Sequence, residues 1–435
     1  GFSFDAEATE LAVFKIGNDG KFSQRGTFYK SSDDYYDTDN YATRLVEDKL
    51  IIYTPIYLQD VNPDESFRWP IMRKWSDVKY KGEPFSKGRH MFGARDIYYP
   101  IQRTAEPVLH TISICPLGEG ELDAEMTCKT TGIIGPWFAE YYVSNKAAFL
   151  WMTPDGPDYE VEGYLSDCES RDETHKSSVI PASLVRFPLS SRAPSAMHVK
   201  GVPPDQFSLE SSGKEFKALV NWQNIRCERD EGAVTLKYFS IGLNRFSGTP
   251  QNISMAHYTD VPAINGAGLE NRFTDDYLVY GGRQWLSSRA REENESEIYS
   301  VFAIPTADPA KATSLAVPHE IIRAERAGDN IVLTGHAENA GLYVSMIDLN
   351  AVPRVSDTLL IPERYESEGR SHAFNSNIKS DGSGLMGIPT SLRVKDSRRI
   401  WWRSIGSDVS FMSIDSQGKI SDIGPITGLE DSLHP

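Results

Sequence analysis

Short runs of alternating apolar and polar positions, each ended by a cluster of Asp, Asn, Ser or Gly, fill this chain from one end to the other. The stretch 271–280, NRFTDDYLVY, is the clearest case: an apolar approach, a two-acid turn at Asp275 and Asp276, then a second apolar run. Comparable units begin at Tyr41 (YATRLVEDKLIIY), Glu140 (EYYVSNKAAFLW), Phe207 (FSLESSGKEFKALV), Ile321 (IIRAERAGDNIVLTG) and Phe374 (FNSNIKSDGSGLMGIP). Period-two alternation around a turn-forming pair predicts a β-hairpin in each. No segment sustains the 3.6-residue apolar period of a helix beyond about two turns.

A second kind of strand pair alternates with the first. It opens the chain as LAVFKIGNDGKFSQRGTFY from Leu11 and returns as VLHTISICPLGEGELDAEMTC, SLVRFPLSSRAPSAMHV, IYSVFAIPTADPAKATSLAV, LYVSMIDLNAVPRVSDTLLI and VSFMSIDSQGKISDIGPI. One inner and one outer hairpin make four antiparallel strands, which is one propeller blade. The reading has inner turns near Asp48, Asn145, Gly213, Asp275, Asp329 and Asp381, and one blurred outer pair over 235–257. It predicts an all-β chain: a single β-propeller domain over 1–435, of seven or eight four-stranded antiparallel blades. The first outer pair lacks an inner partner, to be supplied by 390–405 or by strands lost at a trimmed end. Insertions rich in charge, Pro or Trp fall at about 59–89, 153–179 and 283–297.

Composition narrows the partners. With 435 residues, 40% of them hydrophobic, the chain can bury a large core. A formal net charge of −16 disfavours nucleic acid and anionic membrane surfaces, which both need concentrated Lys and Arg. Another protein or a cell-surface component is the expected partner, although net acidity also serves solubility alone. No apolar run approaches bilayer length, so no direct membrane span is predicted. Residue 1 opens in mid-pattern, which reads as a mature or trimmed chain. The oligomeric state is not encoded in any pattern found here.

The four cysteines are even in number and lack CxxC spacing. Cys115 and Cys128 flank a hairpin-length loop, and Cys168 and Cys227 remain to pair with each other, one of three connectivities. Two disulfides imply an oxidising, extracytoplasmic compartment.

The ordered set YATRLVEDKLIIYTP, ARDIYYP, PPDQFSLESSGKEFKALV, LYVSMIDLNAVPRVSDTLLIP and SHAFNS resembles secreted bacterial and archaeal proteins with a C-terminal β-propeller distantly related to WD40 repeats. The resemblance runs from about Leu11 to Ile426. It implies a secreted, periplasmic or cell-surface propeller, with no catalytic residues to carry over.

Candidate chemistry is sparse. Asp33, Asp34, Asp37 and Asp39 crowd one loop, and calcium is the cofactor they suggest, since it takes six to eight oxygen ligands. The run lacks the glycine and distal Glu of an EF-hand loop, and a solvated acidic turn accounts for it equally. His372 sits where an inner strand would begin, near a propeller axis. His90, His110, His198, His257, His319 and His336 are scattered, so a copper site would have to be assembled by the fold. Arg68, Trp69, Arg73 and Trp75 combine the residue types that anchor interfaces, or else pack under their own loop. Neither HExxH nor GxSxG occurs. Two readings stand: a binding or scaffold propeller without catalysis, or a metal-binding or funnel-centred hydrolytic protein.

Overall fold

A computed structural model describes residues 8–31, 43–58, 69–75, 89–101, 104, 107–118, 126–153, 179–190, 193–222, 234–264, 269–282, 299–337, 340–367, 374–395 and 402–429. They fall into two compact units: Gly1–Gln206 with Gly213–Glu215 and Ile241–Met255, and Phe207–Ser212 with Phe216–Ser240 and Ala256–Pro435. The described residues form seven sheets of four or five strands and a few 3-10 turns, without an α-helix. The fold is a β-propeller of antiparallel blades, as the hairpin alternation predicts. No helix among the described residues is long and apolar enough to cross a membrane.

In the first unit, the first sheet runs Ala8–Ile16, Phe22–Ser31, Ile71–Lys74, Arg89–His90. The second runs Thr43–Val46, Lys49–Tyr57, Val108–Pro116, Lys129–Gly135, with Ile97–Tyr98 added in parallel at its far edge. The third runs Phe138–Val143, Ala147–Thr153, Pro181–Pro188, Ser195–Lys200. The opening strand pair is therefore completed from within 59–89, rather than by 390–405. The sequence hides this because Ile71–Lys74 is only four residues long and sits among charges, yet Ile71, Met72 and Arg73 are all buried. A continuous core of Ile51, Tyr53, Ile112, Tyr141, Leu150 and Val185 fills the space between the second and third sheets.

In the second unit, the fourth sheet runs Leu209–Ser212, Glu215–Asn221, Val234–Gly242, Tyr258–Ile264. The fifth runs Leu269–Phe273, Tyr277–Gly282, Tyr299–Pro305, Thr313–Val317, and the sixth Arg323–Ala327, Asn330–Ala337, Gly341–Asp348, Arg354–Pro362. The seventh runs Arg364–Glu366, Gly384–Lys395, Trp402–Ile414, Ile420–Leu429, with Asn375–Ile378 paired to the start of its long second strand. The described parts of 390–405, residues 390–395 and 402–405, thus belong to this sheet. Gly335 marks the tightest approach: a Cβ there would lie 1.6 Å from the Glu320 carbonyl oxygen.

Burial follows strand position. Ala147–Thr153 (AAFLWMT) is buried at every residue, because a second strand is covered on both faces and needs no polar alternation. The strand Phe22–Ser31 instead reads exposed at its start and alternates toward its end. One face of the first sheet packs Phe28 and Met72 against Ile52 and Cys115 of the second and Met126, just before that sheet's strand Lys129–Gly135. Its opposite face buries Ile71 and Arg73 of the third strand and exposes the residues of the opening hairpin.

Candidate functional site

The first strands of the fifth, sixth and seventh sheets bring charges together. Arg272 stacks its guanidinium on the Phe207 ring at 3.8 Å, donates from Nε to the Ala324 carbonyl (2.8 Å), and pairs with Glu325 at 2.8 Å. Arg323 donates to Glu366 Oε1 from Nε (3.0 Å) and Nη2 (2.5 Å), and its Nη1 lies 3.8 Å from Glu325. Arg364 pairs with Asp408, which also accepts a bond from Thr390 Oγ1. Burial pushes the Glu325 carboxyl up, Arg272 and Arg323 pull it down, and Glu366 pushes it up again. Each of these three guanidiniums meets a carboxylate. The cluster therefore neutralises itself instead of presenting a charge to a ligand.

Two buried histidines look chemical and are structural. His110 donates from Nε2 to the Pro136 carbonyl (2.8 Å) and accepts at Nδ1 from the Tyr53 hydroxyl (2.8 Å), which fixes one neutral tautomer. Burial lowers its pKa to about 4. His319 donates from Nδ1 to the Glu320 carbonyl (2.7 Å) and accepts at Nε2 from Ser345 (2.8 Å), with its pKa also lowered to about 4 by burial. This copies a serine–histidine couple, yet both side chains are sealed from solvent and Ser345 also bonds Thr358 (3.0 Å). In the first unit, Arg44 donates to the Thr43 carbonyl (2.9 Å) and to Gln206, and burial lowers its pKa.

The first sheet presents a different surface. Strand alternation puts Glu10, Ala12, Phe14 and Ile16 on the face opposite Leu11 and Val13, which pack inward. Ile16 stands directly across from Phe22, and the Phe14 and Phe22 rings meet edge to face at 6.4 Å. A bulge between Val13 and Phe14 leaves the strip continuous, because Gln24 bridges it to Thr27 with a 2.8 Å hydrogen bond. Beyond Thr27, Trp75 binds back through its N–H to the Thr27 carbonyl (2.7 Å) and meets Tyr29 edge to face at 5.8 Å. Phe14, Ile16, Phe22 and Trp75 are 50%, 65%, 71% and 40% exposed. Several large apolar groups gathered on one sheet face are what an interaction surface requires, whereas isolated ones are ordinary.

The residues singled out from sequence divide sharply. Cys115 and Cys128 are bonded to each other, inside the core shared by the first two sheets. Trp69 meets Phe92 edge to face at 5.6 Å and packs with Ile56 and Leu109, so it belongs to the packing of the second sheet. Arg73 is buried, and Trp75 reaches the surface strip. Cys168, Cys227, Asp33, Asp34, Asp37, Asp39, Arg68 and His372 lie outside the described residues. Among the described residues no group of three or more His, Cys, Asp or Glu is placed to hold a metal ion. Sequence reading missed both the paired charges and the Phe14–Ile16–Phe22 cluster. The available signal was RAERA within an apolar hairpin for the first, and two aromatics flanking one tight turn for the second.

No protein-family model matches the sequence, and no curated protein matches it either. Solved structures with some likeness include a eukaryotic initiation factor, at 8% identity over 98% of this chain and 90% of that one, with a TM-score of 0.39. A Synechocystis apocarotenoid oxygenase variant matches at 10% identity over 60% of this chain and 57% of the other, TM-score 0.33. The parainfluenza virus 5 hemagglutinin-neuraminidase with the ligand DANA matches at 10% identity over 66% and 88%, TM-score 0.27. Likenesses this distant carry no argument about this chain, whose fold class rests on its own sheet topology.

Proposed function

We propose that this is an extracytoplasmic binding or scaffold propeller that acts through protein–protein contact and catalyses nothing. The observation that carries the proposal is the apolar strip along the opening hairpin of the first sheet, where Phe14, Ile16, Phe22 and Trp75 stand in solvent. The Cys115–Cys128 bond supports an oxidising compartment, in line with the secreted propellers that the sequence resembles.

The test is photo-crosslinking in the protein's own cells from Phe22→p-benzoylphenylalanine, with the same substitution at buried Phe28 as control. A covalent adduct to another polypeptide from position 22 alone is the expected result. Absence of any adduct from position 22 overturns the proposal.

A further inference from the structure

Sulfur is concentrated at one place in the fold. The chain holds 4 cysteines and 9 methionines in 435 residues. Cys115, Cys128, Met72, Met91 and Met126 all meet in the core cluster between the first two sheets, far more than an even spread would place there. Methionine often fills irregular gaps in a core. Here, however, one thioether reaches the cysteines themselves: Met72 Sδ lies 3.8 Å from Cys128 Sγ. The sheet, and not the bond alone, holds the two cysteines together. Ile114 pairs with Lys129 across neighbouring antiparallel strands, so Cys115 and Cys128 stand opposite each other one step beyond that pair. Opening the disulfide therefore leaves two thiols side by side against the Met72 thioether. Cys115 and Met72 are sealed from solvent, whereas Cys128 is half-buried and is the sulfur a small thiol can attack.

Two thiolates and a thioether in an apolar setting form a soft donor set, which selects Cu(I), whereas structural zinc takes four ligands. Sulfurs about 4 Å apart bracket an ion bound at about 2.3 Å from each. We propose that, once its disulfide is reduced, the core between the first two sheets is a Cu(I) site with Cys115 Sγ, Cys128 Sγ and Met72 Sδ as ligands. A small thiol supplies the two electrons: two R–SH become R–S–S–R as the Cys115–Cys128 bond opens to two thiols. Cu(I) then displaces both thiol protons to solvent, with no change in its oxidation state. In an oxidising compartment the disulfide is the resting form, so copper uptake is conditional on reduction. The site lies on the face of the first sheet opposite Phe14 and Phe22 and does not depend on the binding function proposed for them.

Anaerobic titration with the Cu(I)–bicinchoninate complex tests this, on protein reduced with dithiothreitol and then freed of it. The reduced wild type should withdraw one Cu(I) per chain, and the oxidised protein none. Met72→Leu conserves volume and should lower the affinity at least about 10-fold, with the near-ultraviolet circular dichroism of the fold unchanged. Met91→Leu should leave the affinity as it is. Copper X-ray absorption should find three sulfur ligands, which keeps the test open if Met72→Leu does not fold. The inference is overturned if reduced wild type leaves the copper on the chelator, or if Met72→Leu binds as tightly as wild type. It is overturned equally if the ion has two or fewer sulfur ligands, or if reduction abolishes the near-ultraviolet signal, because no folded core then holds the third ligand.

Discussion

Removing Glu366 gives the sharpest test of how the second unit is held together. Its Oε1 takes both the Nε and Nη2 bonds of Arg323, and the two side chains are 4% and 6% exposed. Glu366→Ala leaves a guanidinium in the interior with Glu325 as its next carboxylate, 3.8 Å away and already engaged by Arg272 at 2.8 Å. Breaking one side of a buried pair costs about 3–5 kcal/mol, and the residual Glu325 contact argues for the lower end, about 3 kcal/mol. That is roughly 6–12 °C in melting temperature for a cooperative unit of about 200 residues. Replacing both partners with apolar groups (Arg323→Met/Glu366→Leu) removes the stranded charge and should cost less than Glu366→Ala alone. Urea unfolding of the wild type, Arg323→Met, Glu366→Leu and their double closes the cycle. A Glu366→Ala cost below about 1 kcal/mol, or strict additivity in the cycle, would refute a paired and desolvated cluster.

Other outcomes follow from the same physics. His110 and His319 are neutral in the fold, with pKa values lowered to about 4 from 6.5, so the unfolded chain takes up protons first as pH falls. Stability should drop between about pH 6.5 and pH 4, by up to roughly 3 kcal/mol for each histidine at the bottom of that window, measurable by urea unfolding at stepped pH. Glu325, whose carboxyl is raised, works in the opposite direction: its penalty is present at neutral pH and is relieved as pH falls through its folded pKa. Trp69→Ala should cost at least about 2 kcal/mol because it opens the packing against Phe92, whereas Trp75→Ala at the exposed strip should cost under about 1 kcal/mol, both read by calorimetry. Loss of the Cys115–Cys128 bond, which spans 13 residues, should cost about 3 kcal/mol in the chain-entropy account, visible as a reductant-dependent melting temperature.

What the sequence made legible was local. Turns near Asp48, Asn145, Gly213, Asp275, Asp329 and Asp381 and their flanking strands all form hairpins, because turn chemistry and period-two alternation are decided within a dozen or so residues. The Cys115–Cys128 pairing was legible for the same reason. The return of Ile71–Lys74 to the first sheet was not: four residues give too little pattern, and the strand they join ends 40 residues earlier, at Ser31 opposite Ile71. The ion pairs were hidden as well. Arg272, Glu325 and Glu366 stand on three different sheets, so no local pattern marks them as partners. The exposure of Phe14 and Phe22 was not legible either, because it depends on what covers a sheet face and not on the strand that carries it.

The claim that the first-sheet strip is this protein's working surface is tested most directly by carbene footprinting. Phe22 and Phe28 lie on the same strand, the first 71% exposed and the second fully buried. In dilute purified protein Phe14 and Phe22 should label strongly and Phe28 should not. In the protein's native setting Phe14 and Phe22 should become protected while Phe28 stays unlabelled. Labelling of Phe22 that is already absent in dilute protein, or that persists undiminished in the native setting, would contradict the account.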